Sequence, residues 1–164
     1  MVKPFHKIFP EVAREETRSV DLQDEGEPGG LPAGEYFFVE SYCTNPDCDC
    51  VRVLIDVAAR ELGVIASISF DFDTSISISY KNKTNPCLDP QIRQSKYAEK
   101  ALSLFKEVVR DKDYEDRLKR HFRLVKSAVG ASSGRDDGGV TSRQGERARQ
   151  QRKQQKAARR KNRR

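Results

Sequence analysis

Apolar residues alternate with polar ones in several runs in the middle of the chain. Residues 34–41 contain aromatic and β-branched side chains, residues 51–57 read V-R-V-L-I-D-V, and residues 64–73 end in strict alternation. A fourth run, 75–80, alternates Ser with Ile before ending at a Tyr. A period of two over such lengths predicts β-strands. Short links between the runs favour antiparallel neighbours, so the sequence predicts a meander of about four strands.

The period changes after the Pro-containing segment 85–90, which we interpret as a loop. Ser95 is the predicted cap of a helix, whose apolar positions are Ala98, Ala101, Leu102, Phe105 and Val109. The polar triplet 111–113 interrupts the pattern. A second helix is predicted from Tyr114 to about Gly130, with Leu118, His121, Phe122 and Val125 at helical spacing. Strands followed by helices predict an α+β domain, with the helices against one face of the antiparallel sheet.

The first thirty residues give weaker signals. A small apolar cluster is expected from Phe5, Ile8, Phe9 and Val12. Residues 15–21 alternate as a short strand would, and residues 24–30 have the composition of a turn. We therefore predict an N-terminal segment 1–30, an α+β domain 31–130, and a C-terminal region 131–164.

Charge separates that C-terminal region from the rest of the chain. The formal net charge is +6, and residues 131–164 hold 12 of the 31 Lys and Arg but only 3 of the 25 Asp and Glu. The remaining residues are therefore slightly acidic. Residues 131–145 have the composition of a linker, and residues 147–164 have no apolar face to bury. We predict that this tail is disordered.

The basic tail has the charge needed to neutralise phosphates. We expect it to bind RNA, DNA or the ribosome without sequence preference, because it has no aromatic residue to stack on a base. The alternative is a solvated tail with no particular partner. The candidate nucleic-acid-binding residues are Arg147, Arg149, Arg152, Lys153, Lys156, Arg159, Arg160, Lys161, Arg163 and Arg164.

Apolar runs in the chain are short. None approaches the ~20 residues of a membrane helix, and residues 1–10 contain no signal-peptide core. These features predict a cytoplasmic protein without membrane contact. In a reducing compartment its four cysteines are expected to be thiols or metal ligands rather than disulfides.

The most informative segment is a cysteine loop, residues 43–50, between two predicted strands. It reads C-T-N-P-D-C-D-C, and the Asn-Pro-Asp in its centre is turn chemistry that can bring Cys48 back toward Cys43. With Cys50, three thiolates in one loop would suit a soft tetrahedral ion such as zinc. The alternatives are ordinary buried thiols at strand ends and, less favoured, a redox pair.

A closed zinc site needs a fourth ligand. Cys87, in the segment predicted as a loop, is the leading candidate. The two histidines, His6 and His121, and the loop carboxylates Asp47 and Asp49 are the alternatives.

The cysteine loop also carries a resemblance. The run from Leu31 to Val53, with the later L-D-P at 88–90 and the helical segment 114–122, resembles an uncharacterised bacterial family that often carries a SEC-C-type zinc motif. The resemblance spans roughly residues 5–126 and implies an α+β domain with a metal-binding cysteine loop. It implies no reaction. Val51 stands where an arginine is expected after the last cysteine, and the basic tail replaces the SEC-C motif, so that motif's function does not transfer.

Two functions follow from these features. The first is a zinc-stapled binding or adaptor module with a polyanion-binding tail, because the chain contains no recognisable catalytic or phosphate-loop motif. The second is a metal- or thiol-dependent enzyme that uses the cysteine cluster. A base such as His121 or Asp89 beside the cysteines would favour the second.

Overall fold

The computed structural model describes residues 1–23, 30–72 and 85–133. Residues 1–130 form one compact unit. The elements of the described residues, in chain order, are β1 (Val2–Pro4), α1 (Phe5–Ile8), α2 (Pro10–Glu16), β2 (Arg18–Leu22), β3 (Gly34–Cys43), β4 (Arg52–Ala59), β5 (Gly63–Asp71), β6 (Cys87–Leu88), α3 (Ala98–Val108) and α4 (Lys112–Ser133).

Strand β3 organises an antiparallel sheet. On one side, β4, β5 and β6 follow in sequence order. On the other side, β1 and β2 share the same edge, with β1 opposite residues 41–43 and β2 opposite residues 34–38. The α1–α2 segment connects these two short strands. The predicted antiparallel α+β fold is therefore confirmed, with β1 and β6 as strands that the pattern did not predict.

The core lies between one face of the sheet and the helices. Alternate residues of β3 point to this face, and their neighbours in β4 and β5 are Val53, Ile55, Val57, Ile68 and Phe70. From α3, the ring of Phe105 lies 5.9 Å from the rings of both Phe38 and Phe70. From α4, the carbonyl oxygen of Leu118 accepts a hydrogen bond of 3.1 Å from the hydroxyl of Tyr42. Burial of such aromatic side chains, about 1.5–3 kcal/mol each, joins the two helices to the sheet.

The N-terminal apolar residues pack against this core from short helices. Phe5 is buried on α1, and Ile8, Phe9 and Val12 are half-buried against the core. The predicted strand at 15–21 begins later, at Arg18, because Glu15 and Glu16 belong to α2. That helix ends where both the amide and the hydroxyl of Thr17 donate to the carbonyl oxygen of Ala13.

Two polar residues fix where the C-terminal helices begin. Ser95 is not the N-cap of α3, which starts at Ala98; its hydroxyl donates to the carbonyl of Ile65 and accepts from the amide of Tyr97. Ser95 thus attaches the approach to α3 onto β5. The carboxylate of Asp111 accepts a 3.0 Å bond from the amide of Asp113, in the first turn of α4. A break between the helices is therefore present, but it lies earlier than the predicted 111–113, because α3 ends at Val108 and α4 begins at Lys112.

Some predictions fall outside the described residues. They are the turn at 24–30 except for its last residue, the strand at 75–80, the linker at 131–145 beyond residue 133, and the basic tail with its ten candidate nucleic-acid-binding residues. Among the described helices, none is long and apolar enough to cross a membrane.

Candidate metal centre

The cysteine loop begins where β3 ends. Cys43 is the last residue of β3, and the chain then turns at the predicted Asn-Pro-Asp triplet. The side-chain oxygen of Asn45 accepts a 3.1 Å hydrogen bond from the amide of Asp47. The backbone carbonyl of Asn45 accepts a 3.3 Å hydrogen bond from the amide of Cys48. This turn reverses the chain, so Cys48 and Cys50 return toward Cys43 before β4 starts.

The three sulfurs converge. The Sγ atoms of Cys43, Cys48 and Cys50 all lie within 4.8 Å of one another. All three side chains are half-buried free thiols. Two sulfurs bound to one tetrahedral zinc at the usual Zn–S length lie about 3.8 Å apart. The loop would therefore need only a small contraction to place one ion between the three sulfurs.

The thiols differ in acidity. A hydrogen bond from the Cys50 thiol, then one from the Cys50 backbone, lowers the pKa of Cys48, with smaller contributions from Cys43 and the Lys126 ammonium. Burial, followed by the hydrogen bonds with Cys48 and Cys43, raises the pKa of Cys50 to about 12. Cys48 therefore ionises more easily than Cys50. A bound cation would be needed to make all three thiolates at neutral pH, with release of their protons.

Contacts from three separate parts of the chain hold the loop. The Nζ of Lys126, on α4, donates a 2.7 Å bond to the carbonyl oxygen of Cys48. The amide of Thr44 donates to the carbonyl of Met1 at 2.9 Å, and the amide of Phe72 donates to the carbonyl of Val51 at 2.9 Å. The loop thus sits where the N-terminal strand, the end of β5 and α4 meet. Sequence reasoning missed Lys126, because its partner is 78 residues away and no local pattern marks it.

Cys87 lies apart from the other three cysteines. It is in β6, where it pairs with Ser69 of β5. Ser69 pairs in turn with Leu54 of β4, and Leu54 pairs with Ser41 of β3. Three strand spacings separate it from β3, or about 14 Å at the usual distance between paired strands. The structure does not bring Cys87 into the group of three sulfurs.

The alternative fourth ligands are also not in the group. His6 is exposed on α1, and Asp47 and Asp49 are exposed in the loop. Among the described residues, no His, Asp or Glu side chain joins the three cysteines at that distance. His121 is buried, and both of its ring nitrogens face carboxylates: Nδ1 is 2.7 Å from Glu40 and Nε2 is 2.9 Å from Glu16.

His121 instead belongs to a second polar cluster, which we call the Glu40 cluster: Glu16, Glu40, Tyr42, Arg120 and His121. The Tyr42 hydroxyl donates a 2.6 Å bond to Glu40, and Arg120 donates to Glu16. The ring of Phe5 stacks on the imidazole with centroids 4.1 Å apart. The sequence analysis considered His121 as a zinc ligand or a base and did not single out Glu40. The one available signal was the position of Glu40, which is a carboxylate on the same face of β3 as Phe38 and Tyr42.

Neither proposed base lies free beside the cysteines. His121 is bound as described above. Asp89 follows β6, where its amide donates to the carbonyl of Ser67 and its carboxylate accepts a 2.8 Å bond from the amide of Gln91. Neither His121 nor Asp89 is therefore placed to act as a base for a thiol of the loop.

Comparisons of the chain with protein-family models, curated proteins and solved structures find no match. The resemblance to a bacterial family with a cysteine loop stays a prediction. Function has to follow from the geometry of the described residues and from the charge of the chain.

Proposed function

We propose that this chain is a zinc-binding adaptor module, in which Cys43, Cys48 and Cys50 hold the ion and the basic tail binds nucleic acid or the ribosome. The observation that carries the proposal is the approach of three thiol sulfurs to within 4.8 Å of one another. Three thiolates this close repel one another unless a cation lies between them. A soft divalent ion supplies that charge and prefers sulfur donors.

A divalent ion such as zinc fits the charge of the site. Three thiolates and a divalent zinc carry a net charge of −1, and the ammonium of Lys126 lies beside the loop to offset it. Zinc bound here would join the end of β3 to the approach of β4, and would act as a staple at the junction of three chain segments.

Zinc analysis of the purified full chain tests the staple. We expect about one zinc per chain in native mass spectrometry, released by a chelator. The variants Cys43→Ser, Cys48→Ser and Cys50→Ser should each lose most of the zinc, whereas the matched control Cys87→Ser should keep it. A protein without zinc, with all four thiols titrating freely, contradicts the proposal.

The tail is tested separately, since its support is the concentration of basic residues in 131–164. We expect a full-length variant with the ten basic residues of the tail changed to Gln to elute from heparin at much lower salt. A control that changes the exposed Lys7, Lys96 and Lys112 to Gln should elute close to the original chain. Equal retention of the tail variant and the original chain would refute this part.

A second candidate, a thiol-dependent enzyme, is favoured by one observation: the lowered pKa of Cys48. In metal-free protein at neutral pH, Cys48 should then react with iodoacetamide before Cys50 does. Peptide mass spectrometry of partly alkylated protein measures the order. If zinc abolishes the reaction, the adaptor interpretation is strengthened; if Cys48 is no faster than Cys50, the enzyme candidate loses its support.

A further inference from the structure

The chain has few residues that could complete the zinc site. It contains four cysteines and two histidines in all, and every one of them lies within the described residues. Sulfur and imidazole nitrogen are, with carboxylate oxygen, the donors that zinc takes from proteins. The supply of sulfur and nitrogen donors for a fourth position can therefore be checked completely.

Each remaining donor is placed elsewhere. Cys87 is separated from β3 by two intervening strands. His121 has both ring nitrogens within 2.9 Å of carboxylates inside the core. His6, on α1, is not in the group of close sulfurs, and neither are the loop carboxylates Asp47 and Asp49. One chain thus supplies three sulfurs and leaves the fourth position of a tetrahedral ion without a sulfur or imidazole donor.

We propose that the metal held by Cys43, Cys48 and Cys50 takes its fourth ligand from outside the chain, and that this ligand is a thiolate. This inference rests on the proposed metal-binding function. It changes the site from a closed staple into an exchangeable one, to which a thiol-bearing partner or a small thiol binds through the metal. Binding exchanges a metal-bound water for the thiolate, and the thiol proton goes to solvent.

Access favours an external ligand, and charges of both signs surround the loop. The outer side of the loop is open, since Asn45, Pro46, Asp47 and Asp49 are all exposed. Asp47 and Asp49 repel an anion, whereas Lys126 attracts it from the helix side of the loop. A soft sulfur donor bonds directly to a soft metal, and the charge of Lys126 adds to its affinity.

The thiolate could come from a small thiol or from Cys87 of a second copy, which is half-buried in the short strand β6. Both sources offer the same sulfur donor. Binding of a small thiol does not depend on protein concentration and should survive Cys87→Ser. Binding of a second copy depends on protein concentration and should be lost in Cys87→Ser.

Cobalt in place of zinc provides the test, because the sulfur-to-cobalt charge-transfer absorption grows with the number of bound sulfurs. The full chain loaded with cobalt in thiol-free buffer should show a three-sulfur spectrum. Titration with 2-mercaptoethanol should raise this absorption saturably by about one third, as three Co–S bonds become four. Cys87→Ser should behave identically. Lys126→Met should bind cobalt but hold the thiol about two- to fivefold more weakly, and Lys126→Arg should restore the affinity.

The other outcomes decide the source or overturn the inference. A four-sulfur spectrum that grows with protein concentration and disappears in Cys87→Ser supports the thiolate and assigns it to a second copy. A four-sulfur spectrum that is independent of concentration and lost in Cys87→Ser overturns the inference, since Cys87 of the same chain then closes the site. A three-sulfur spectrum that does not respond to thiol also overturns it, but leaves the proposed metal-binding function intact. Failure to bind cobalt or zinc overturns both.

Discussion

Two polar clusters lie three residues apart along β3, and they are opposite in kind. The Glu40 cluster is buried at Glu40, Tyr42 and His121 and reaches the surface at Arg120, and it pairs two carboxylates with an imidazole, a guanidinium and a hydroxyl. The cysteine cluster at Cys43 is half-buried and brings together three groups of the same acidic type. The first cluster finds its partners within the chain, whereas the second is a group of three thiols close enough to hold a metal ion.

This difference separates structural chemistry from binding chemistry. His121 contacts Glu16 through one ring nitrogen and Glu40 through the other. Each contact is a hydrogen bond only if it contains a proton, so the three groups must hold two protons between them. Burial and the neighbouring Glu40 raise the pKa of Tyr42 far above its usual value, so its hydroxyl stays a donor. Such a cluster stabilises a unique arrangement of α2, α4 and β3. The cysteine loop has no such internal balance, which is the property expected of a ligand site.

The largest effect is expected from breaking the Glu40 cluster. His121→Ala removes the imidazole from the buried Glu40 and leaves it only the Tyr42 hydroxyl, and should lower the free energy of unfolding by about 3–5 kcal/mol in urea denaturation. Replacing both residues, as in Glu40→Leu with His121→Leu, should recover part of that loss, because no charge is then left buried alone. Arg14→Ala, which removes only an exposed pair with Glu11, is the control and should change stability by less than about 0.5 kcal/mol. A mild effect of His121→Ala would show that the two clusters are not different in kind.

Metal removal should have a smaller effect and act on the other cluster alone. Zinc at a free concentration 100-fold above its Kd stabilises a folded chain by about 2.7 kcal/mol, and a chelator should remove this increment. Cys50→Ser should show no increment, whereas His121→Ala should keep it. Thermal denaturation with and without chelator measures both. A zinc effect that disappears in His121→Ala would mean that the clusters are coupled along β3.

The smallest effect concerns pH. The hydrogen bond from Arg120 lowers the pKa of Glu16, against the opposing effect of burial, and His121 adds to the lowering. Its ordinary value is 4.5, so the stability that this carboxylate contributes is complete above that pH and is lost as the pH falls below it. At pH 7, Glu16→Gln should cost about 1 kcal/mol in metal-free protein. The difference between the two proteins should shrink as the pH falls below 4.5, and a difference that stays constant with pH would assign the effect to packing.

The sequence pattern predicted the parts of the fold that repeat over many residues. Alternation located β3, β4 and β5 because each runs for eight to ten residues with one face in the core. The helical spacing around Leu102 and Leu118 likewise located α3 and α4. Strands of two or three residues, such as β1 and β6, are too short to show a period. They exist because a neighbouring strand offers unpaired backbone groups.

The candidate site divides in the same way. The turn at Asn45 could be predicted because an Asn side chain and the following proline act on their own backbone. The placement of Cys87, Lys126 and His121 depends on contacts with parts of the chain far away in sequence. The bond between His121 and Glu40 spans 81 residues, and no local pattern predicts it. The local sequence thus identified the candidate ligands, whereas contacts between distant parts of the chain determine what surrounds them.

The hydrogen bonds between Met1 and Thr44 have a practical consequence for anyone purifying this protein. The backbone carbonyl of Met1 accepts from both the amide and the hydroxyl of Thr44, one residue beyond Cys43. A polyhistidine tag fused to the N-terminus would therefore emerge next to the three sulfurs and could donate an imidazole to them. Affinity tags without histidine or cysteine avoid creating an artificial ligand there.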